Sequence, residues 1–201
     1  MINEKIEKAL VEMKNLYEKI FKVIRPRIDS TGYTERNQTC NFVTAFLQGN
    51  PNAVAWYEFP LNDKRSHIDA IIYDERDNTF YLVEAKRYNS DKKVESIIND
   101  FVRCCKSQRK VAEICFKGMD YPECNYYVVI LADLWKERKK YWESWGEETD
   151  DLRKKIMEKS DEKAEFCSQE FTKDYMKNYL EEYRLLCIYA ETTQLKFEKE
   201  S

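Results

Sequence analysis

Glycine and histidine are nearly missing from this chain, and paired cysteines are missing altogether. Four glycines, at positions 32, 49, 118 and 146, are too few and too scattered to write a phosphate-cradling loop. Nucleotide- and dinucleotide-dependent enzymes are disfavoured on that ground. The single histidine, His67, leaves no two-histidine metal site and little room for a histidine triad. The seven cysteines (40, 104, 105, 115, 124, 167 and 187) are odd in number and include no Cys-x-x-Cys. A structural zinc site is therefore not expected, and the thiols read as small buried hydrophobes in a reducing, cytoplasmic setting. No apolar run approaches the length that spans a bilayer. The opening residues, Met1-Ile2-Asn3-Glu4-Lys5, show no basic stretch leading into an apolar one, so neither a membrane segment nor a secretory signal is expected. Basic excess is lacking too. At a net charge of −3, any contact with nucleic acid has to use a local basic patch on an acidic body.

What the chain has is a core. Its 201 residues are 43% hydrophobic and 14% aromatic, enough for one globular domain over residues 1–201. No repeat, low-complexity segment or linker divides it. With glycine loops and histidine chemistry set aside, carboxylates and lysines carry the chemical potential.

They concentrate in two short runs. Ser66 to Tyr73 and Thr79 to Lys86 are strand-like, and Asp74-Glu75-Arg76-Asp77-Asn78 between them supplies turn chemistry. An antiparallel hairpin is expected. With the turn centred between Arg76 and Asp77, Asp69 falls opposite Glu84, their Cβ atoms roughly 5 Å apart, which is unfavourable for two carboxylates alone. Lys86, two residues past Glu84, points to the same face. Both acids are embedded in apolar neighbours: Ile68, Ala70, Ile71 and Ile72 on one side, Leu82, Val83 and Ala85 on the other. Strands apolar on both faces are central ones, and charges there are seldom decorative. Facing acids with an adjacent lysine make a poor core and a good cradle for a divalent cation. The bland alternative is a structural ion cluster in a chain that is 35% charged.

Asp69…Glu84-Ala85-Lys86 resembles the signature of the PD-(D/E)XK nuclease superfamily, the restriction-endonuclease-like phosphodiesterases. The usual proline before the first acid is replaced by Ile68. The resemblance covers roughly residues 34–135. It implies an α/β fold with a mixed sheet and an αβββαβ core, and it implies metal-assisted hydrolysis of DNA or RNA. Asp69 and Glu84, with the Ala85 carbonyl, would bind Mg²⁺ or Mn²⁺, and Lys86 would orient the attacking water and stabilise developing charge. A glutamate on the helix before the sheet often points into such a site, and Glu35 matches that position. The same acid in a first helical turn also simply complements the helix dipole.

The remaining chain fits around that core. Residues 2–25 read as an amphipathic helix, within an N-terminal segment 1–28, with Ile6, Ala9, Met13, Leu16, Ile20 and Val23 as its stripe. It either packs on the core or serves a homodimer as a coiled coil. A helix from Thr34, as N-cap, to about Gln48 places Glu35, Gln38, Phe42 and Phe46 on one face. A strand over 53–60 precedes the hairpin. A single long helix over 91–116 follows it, with an apolar stripe through Val94, Ile98, Phe101, Cys105, Ala112 and Cys115. Another of its faces carries Asn99, Arg103, Lys106 and Lys110, with Arg87, Lys92 and Lys93 just before. That basic face is either solvated or the phosphate-contacting surface for nucleic acid, with DNA the first choice. A central apolar strand over 126–132 completes the order. Residues 136–201 are expected to form a helical extension and a last strand. A helix over 134–145, stopped by Gly146, precedes one from Thr149 through Tyr183, whose Phe166, Phe171, Tyr175 and Tyr179 serve either as core or as base-stacking aromatics. The strand over 185–190 adds to the sheet. A nuclease-fold protein that has lost catalysis and binds nucleic acid or protein is the rival reading.

Overall fold

The computed structural model describes residues 3–23, 35–61, 66–117, 123–135, 138–144, 148–171 and 183–192. Its centre is a six-stranded mixed sheet in the order β1-β2-β3-β4-β6-β5. The strands are β1 (Ala53–Pro60), β2 (His67–Asp74), β3 (Thr79–Arg87), β4 (Asn125–Trp135), β5 (Glu165–Phe171) and β6 (Tyr183–Thr192). Neighbouring strands are antiparallel except β3 and β4, which run parallel. This is a mixed α/β protein. Two helices cover one sheet face, α1 (Glu4–Val23) and α2 (Glu35–Gly49). The other face carries α3 (Asp91–Cys105), α4 (Gln108–Cys115), α5 (Lys139–Ser144) and α6 (Glu148–Ser160). Among the described residues no helix is long and apolar enough to cross a membrane.

The expected hairpin register is observed: Asp74 faces Thr79 and Ala70 faces Val83. The turn is locally encoded. The Arg76 amide donates to Asp74 Oδ1 at 3.1 Å, and Asn78 adopts φ 48°, a left-handed conformation asparagine tolerates. β4 is buried over most of its length, which accounts for its unbroken apolar run. It continues to Trp135, so Leu134 and Trp135 extend the strand and do not open a helix.

Three helical expectations are corrected. The buried stripe of α1 is Ile6, Ala9, Leu10, Met13, Tyr17 and Phe21, while Val23 is exposed. Its two aromatics set the helix's rotation by packing against Phe171 and Tyr183, so the apolar face is spent inside the chain. The single helix over 91–116 is two helices. The Ser107 hydroxyl donates back to the Arg103 carbonyl at 2.7 Å and its amide bonds Cys104 at i+3 spacing, which ends α3. Third, the long helix expected to run from Thr149 to Tyr183 stops at Ser160. Asp161 follows with φ 60°, and Phe166 and Phe171 lie on the edge strand β5. Thr34, Gly146, Tyr175 and Tyr179 lie outside the described residues.

Candidate functional site

Asp69, Glu84 and Lys86 do converge. They belong to the sheet face covered by α3, where Ile71, Leu82 and Phe80 pack beneath Phe101 and Cys104. The ladder between β2 and β3 stops after Ala70 and Val83, one pair before Asp69 and Glu84. In place of the next ladder bond, the Ala85 amide donates to Asp69 Oδ2 at 2.9 Å. A strand residue sends its N–H and C=O out on the same side. The Ala85 carbonyl therefore faces the same opening as Asp69.

Pairing lapses on the other side of Asp69 as well. β1 and β2 pair at Tyr57–Ala70 and again at Phe59–Ile68, skipping the position where Glu58 would meet Asp69. Glu58 has φ 51°, a left-handed conformation that costs a non-glycine residue of order 1 kcal/mol or more. The backbone on both flanks of Asp69 is thus opened locally, within strands that otherwise stay in the sheet.

Glu84 is 2% exposed. Its Oε1 accepts from Arg103 Nη2 at 2.5 Å, and its Oε2 lies 3.5 Å from Lys86 Nζ. Burial, and then the neighbouring Asp69 charge, push its carboxyl up to about 7, with Arg103 and Lys86 pulling the other way. For Lys86, burial acts downward, but Asp100 and Glu84 outweigh it and raise its pKa. The ammonium therefore stays charged at neutral pH, suited to stabilising negative charge and not to abstracting a proton. Arg103, likewise raised, is a permanent cation.

Asp100 on α3 is the residue sequence reasoning missed. Its Oδ2 is 3.2 Å from Lys86 Nζ, and its Oδ1 takes both Nε and Nη2 of Arg103 at 3.2 and 3.1 Å. The i, i+3 spacing of Asp100 and Arg103 was available as a signal; nothing local said that the pair faces the sheet. Three carboxylates (Asp69, Glu84, Asp100) here face two cations.

Other expected residues are placed differently. Glu35, in the first turn of α2, is held by Lys93 at 2.8 Å at the rim. It is close enough to add to the rise at Lys86 without entering the acid cluster. His67 Nε2 meets Glu58 Oε2 at 3.1 Å, and its carbonyl accepts from Arg103. The continuous basic face is not formed. Arg103 turns in to the acids, and the break after α3 separates exposed Lys106 from half-buried Lys110 on α4. Lys92 is exposed, whereas half-buried Arg87 lies beside Asp133 and pulls that acid's pKa down.

Among the described residues no group of three or more His, Cys, Asp or Glu side chains is arranged to hold a metal ion. Two hard carboxylates and a backbone carbonyl at one opening nonetheless suit Mg²⁺, which usually keeps several waters and takes only one or two protein acids. The raised pKa of Glu84 fits as well, because a cation there would relieve the repulsion from Asp69. The chain matches no family model, no curated protein and no solved structure.

Proposed function

We propose that the protein is a metal-dependent phosphodiesterase, a nuclease of the PD-(D/E)XK kind, acting on DNA or RNA. The observation that carries this reading is the shared opening at Asp69, Glu84 and the Ala85 carbonyl, with Lys86, charged at neutral pH, beside it. The order α2, three strands, helices, β4 supports a restriction-endonuclease-like core.

Asp69, Glu84 and the Ala85 carbonyl would hold Mg²⁺ or Mn²⁺, which would supply polarisation of the phosphate and a lower pKa for bound water. Asp69 is fixed for this task by the bond from the Ala85 amide. Lys86 orients the attacking water and neutralises charge that develops on the phosphate. Asp100 keeps Lys86 aimed and charged, and it shares Arg103 with Glu84. Arg103, with three nitrogens already on acids and a carbonyl, is the local counter-charge for Glu84. Lys92, Lys93 and Lys106 are the cations that a phosphate backbone would meet first, whereas Lys110 lies beyond the break after α3 and Arg87 beside Asp133.

One observation favours a second reading. Glu84 is satisfied by Arg103 and Lys86 without any ion, as a nuclease-fold binding module that has lost catalysis would arrange it. The two separate on one experiment: incubation of the wild type, Asp69→Asn and Lys86→Ala with Mg²⁺ or Mn²⁺ and labelled single- and double-stranded DNA and RNA. Cleavage by wild type, abolished in both variants, is expected. The side-chain oxygen of the asparagine in Asp69→Asn can still accept from the Ala85 amide, so the variant should fold. Full activity in Asp69→Asn would refute the assignment.

A further inference from the structure

β1 is an edge strand, and it displays an indole. Trp56 is 65% exposed, and Val54, two residues before it, is equally exposed. Among the described residues Trp56 stacks on no other ring. Its register partner is Ile71, which packs on the α3 side of the sheet, so the indole stands on the same side as Asp69 and Glu84. Ile71 and Asp69 are consecutive same-face residues of β2, which makes Trp56 the diagonal neighbour of Asp69. Such diagonal positions lie about 7–8 Å apart, within reach of a long aromatic side chain.

We propose that Trp56 is a stacking platform for an unpaired base next to the phosphodiester held at Asp69 and Glu84, so that the substrate is single-stranded at the cleavage point. The location of the phosphodiester rests on the nuclease reading above; the platform itself does not. A nucleotide bridges the separation, its phosphate at the acids and its base on the indole. In a duplex the faces of a base are covered by its stacked neighbours, so a side chain standing off a sheet edge can take only an unpaired base. Stacking on aromatic rings is tolerant of base identity, so the platform needs no base-reading groups beside it. Arg36, exposed and paired with Glu58, flanks the strand and offers a cation to the backbone.

A second copy of the chain is the competing occupant of an exposed strand edge. The strand is badly shaped for it. Glu58 at φ 51° interrupts the pairing direction, Pro60 has no amide to donate, and a charged pair, Arg36–Glu58, sits beside the apolar residues.

The test uses full-length Asp69→Asn protein in EDTA, with fluorescence anisotropy of a labelled thymidine oligomer, its RNA counterpart and a blunt duplex of matched length. Adding Trp56→Ala is expected to weaken single-strand binding about 5- to 100-fold and leave duplex binding unchanged. Adding Trp56→Phe should preserve most of the affinity. Unaltered circular dichroism checks that the variants fold, as expected for an exposed site. Equal single-strand affinity with and without the indole overturns the platform, as does no single-strand binding at all. Sedimentation showing a dimer that Trp56→Ala dissociates gives the face to a second copy and overturns it too. Because binding is read without cleavage, a Trp56-dependent affinity in a protein with no metal-dependent activity keeps the platform and removes only the nuclease reading. Cleavage of single strands by Trp56→Ala at the wild-type rate does the reverse.

Discussion

Replacing Glu84 by Gln removes a carboxyl whose folded-state pKa, about 7, lies above its ordinary 4.5. The folded chain therefore binds that proton more tightly than the unfolded one. Stability conferred by the protonated form is fully present below about 4.5. It declines as pH rises through the window to about 7, because ionising Glu84 beside Asp69 in a buried site is unfavourable. The gap between 4.5 and about 7 is worth about 3 kcal/mol, and at 2% exposure solvent does little to reduce it. The glutamine of the variant has no such proton to lose. The free-energy difference between wild type and Glu84→Gln should consequently swing by about 3 kcal/mol toward the variant between pH 4.5 and 8. That corresponds to about 6–12 °C in Tm for a chain of this size. Urea titrations of both proteins at half-unit pH steps in EDTA measure it, since titrating groups remote from Glu84 cancel in the difference. A difference that stays flat, or that moves toward the wild type with rising pH, would show that Arg103 and Lys86 dominate Glu84 and that the argument from burial fails.

Metal should restore what ionisation removes. In a thermal-shift titration, Mg²⁺ or Mn²⁺ at a hundred times its dissociation constant stabilises wild type by roughly 3 kcal/mol, and the Asp69→Asn/Glu84→Gln double variant not at all; an equal shift in both would move the metal elsewhere. Asp133, 3% exposed between α2 and β6, is pushed up to about 7, first by burial. The same sign applies: its cost appears as pH rises from about 4 past 7, so Asp133→Asn should gain stability over wild type by a few kcal/mol at pH 8 and little at pH 4.5, measured by urea denaturation. A constant difference across that range would refute it. Lys86→Ala leaves Asp100 and Glu84 with Arg103 alone, and cleavage should fall by about 10²-fold or more with little change in substrate affinity, read as kcat against KM.

The hairpin was written in the local sequence. Apolar runs of eight residues on either side of Asp74 to Asn78 leave one register that keeps both faces buried, and so Asp69 comes to Glu84 and Lys86 without help from the rest of the fold. Alternation in a strand is a two-residue property. β1 and β4 were equally readable, for the same reason, and so was the buried face of α2 with Gln38, Phe42 and Phe46. The features that were not readable depend on partners far away in the chain. Asp100 and Arg103 became part of the site because α3 packs across β3, which turns Arg103, part of an apparent solvated basic face, onto buried acids. Phe166 and Phe171 open a series that continues at near-helical spacing to Tyr175 and Tyr179, yet they form an edge strand because β6 offers an unpaired side and Asp161 halts α6. The stripe of α1 rotated to bring Tyr17 and Phe21 onto Phe171 and Tyr183. Trp56 had the pattern of any strand aromatic; its exposure follows from β1 lying at the sheet's margin. Pattern within an element is settled by neighbours two to four residues away, whereas the order of strands and the face a helix covers are settled by packing between distant segments, and that packing decided which charges met.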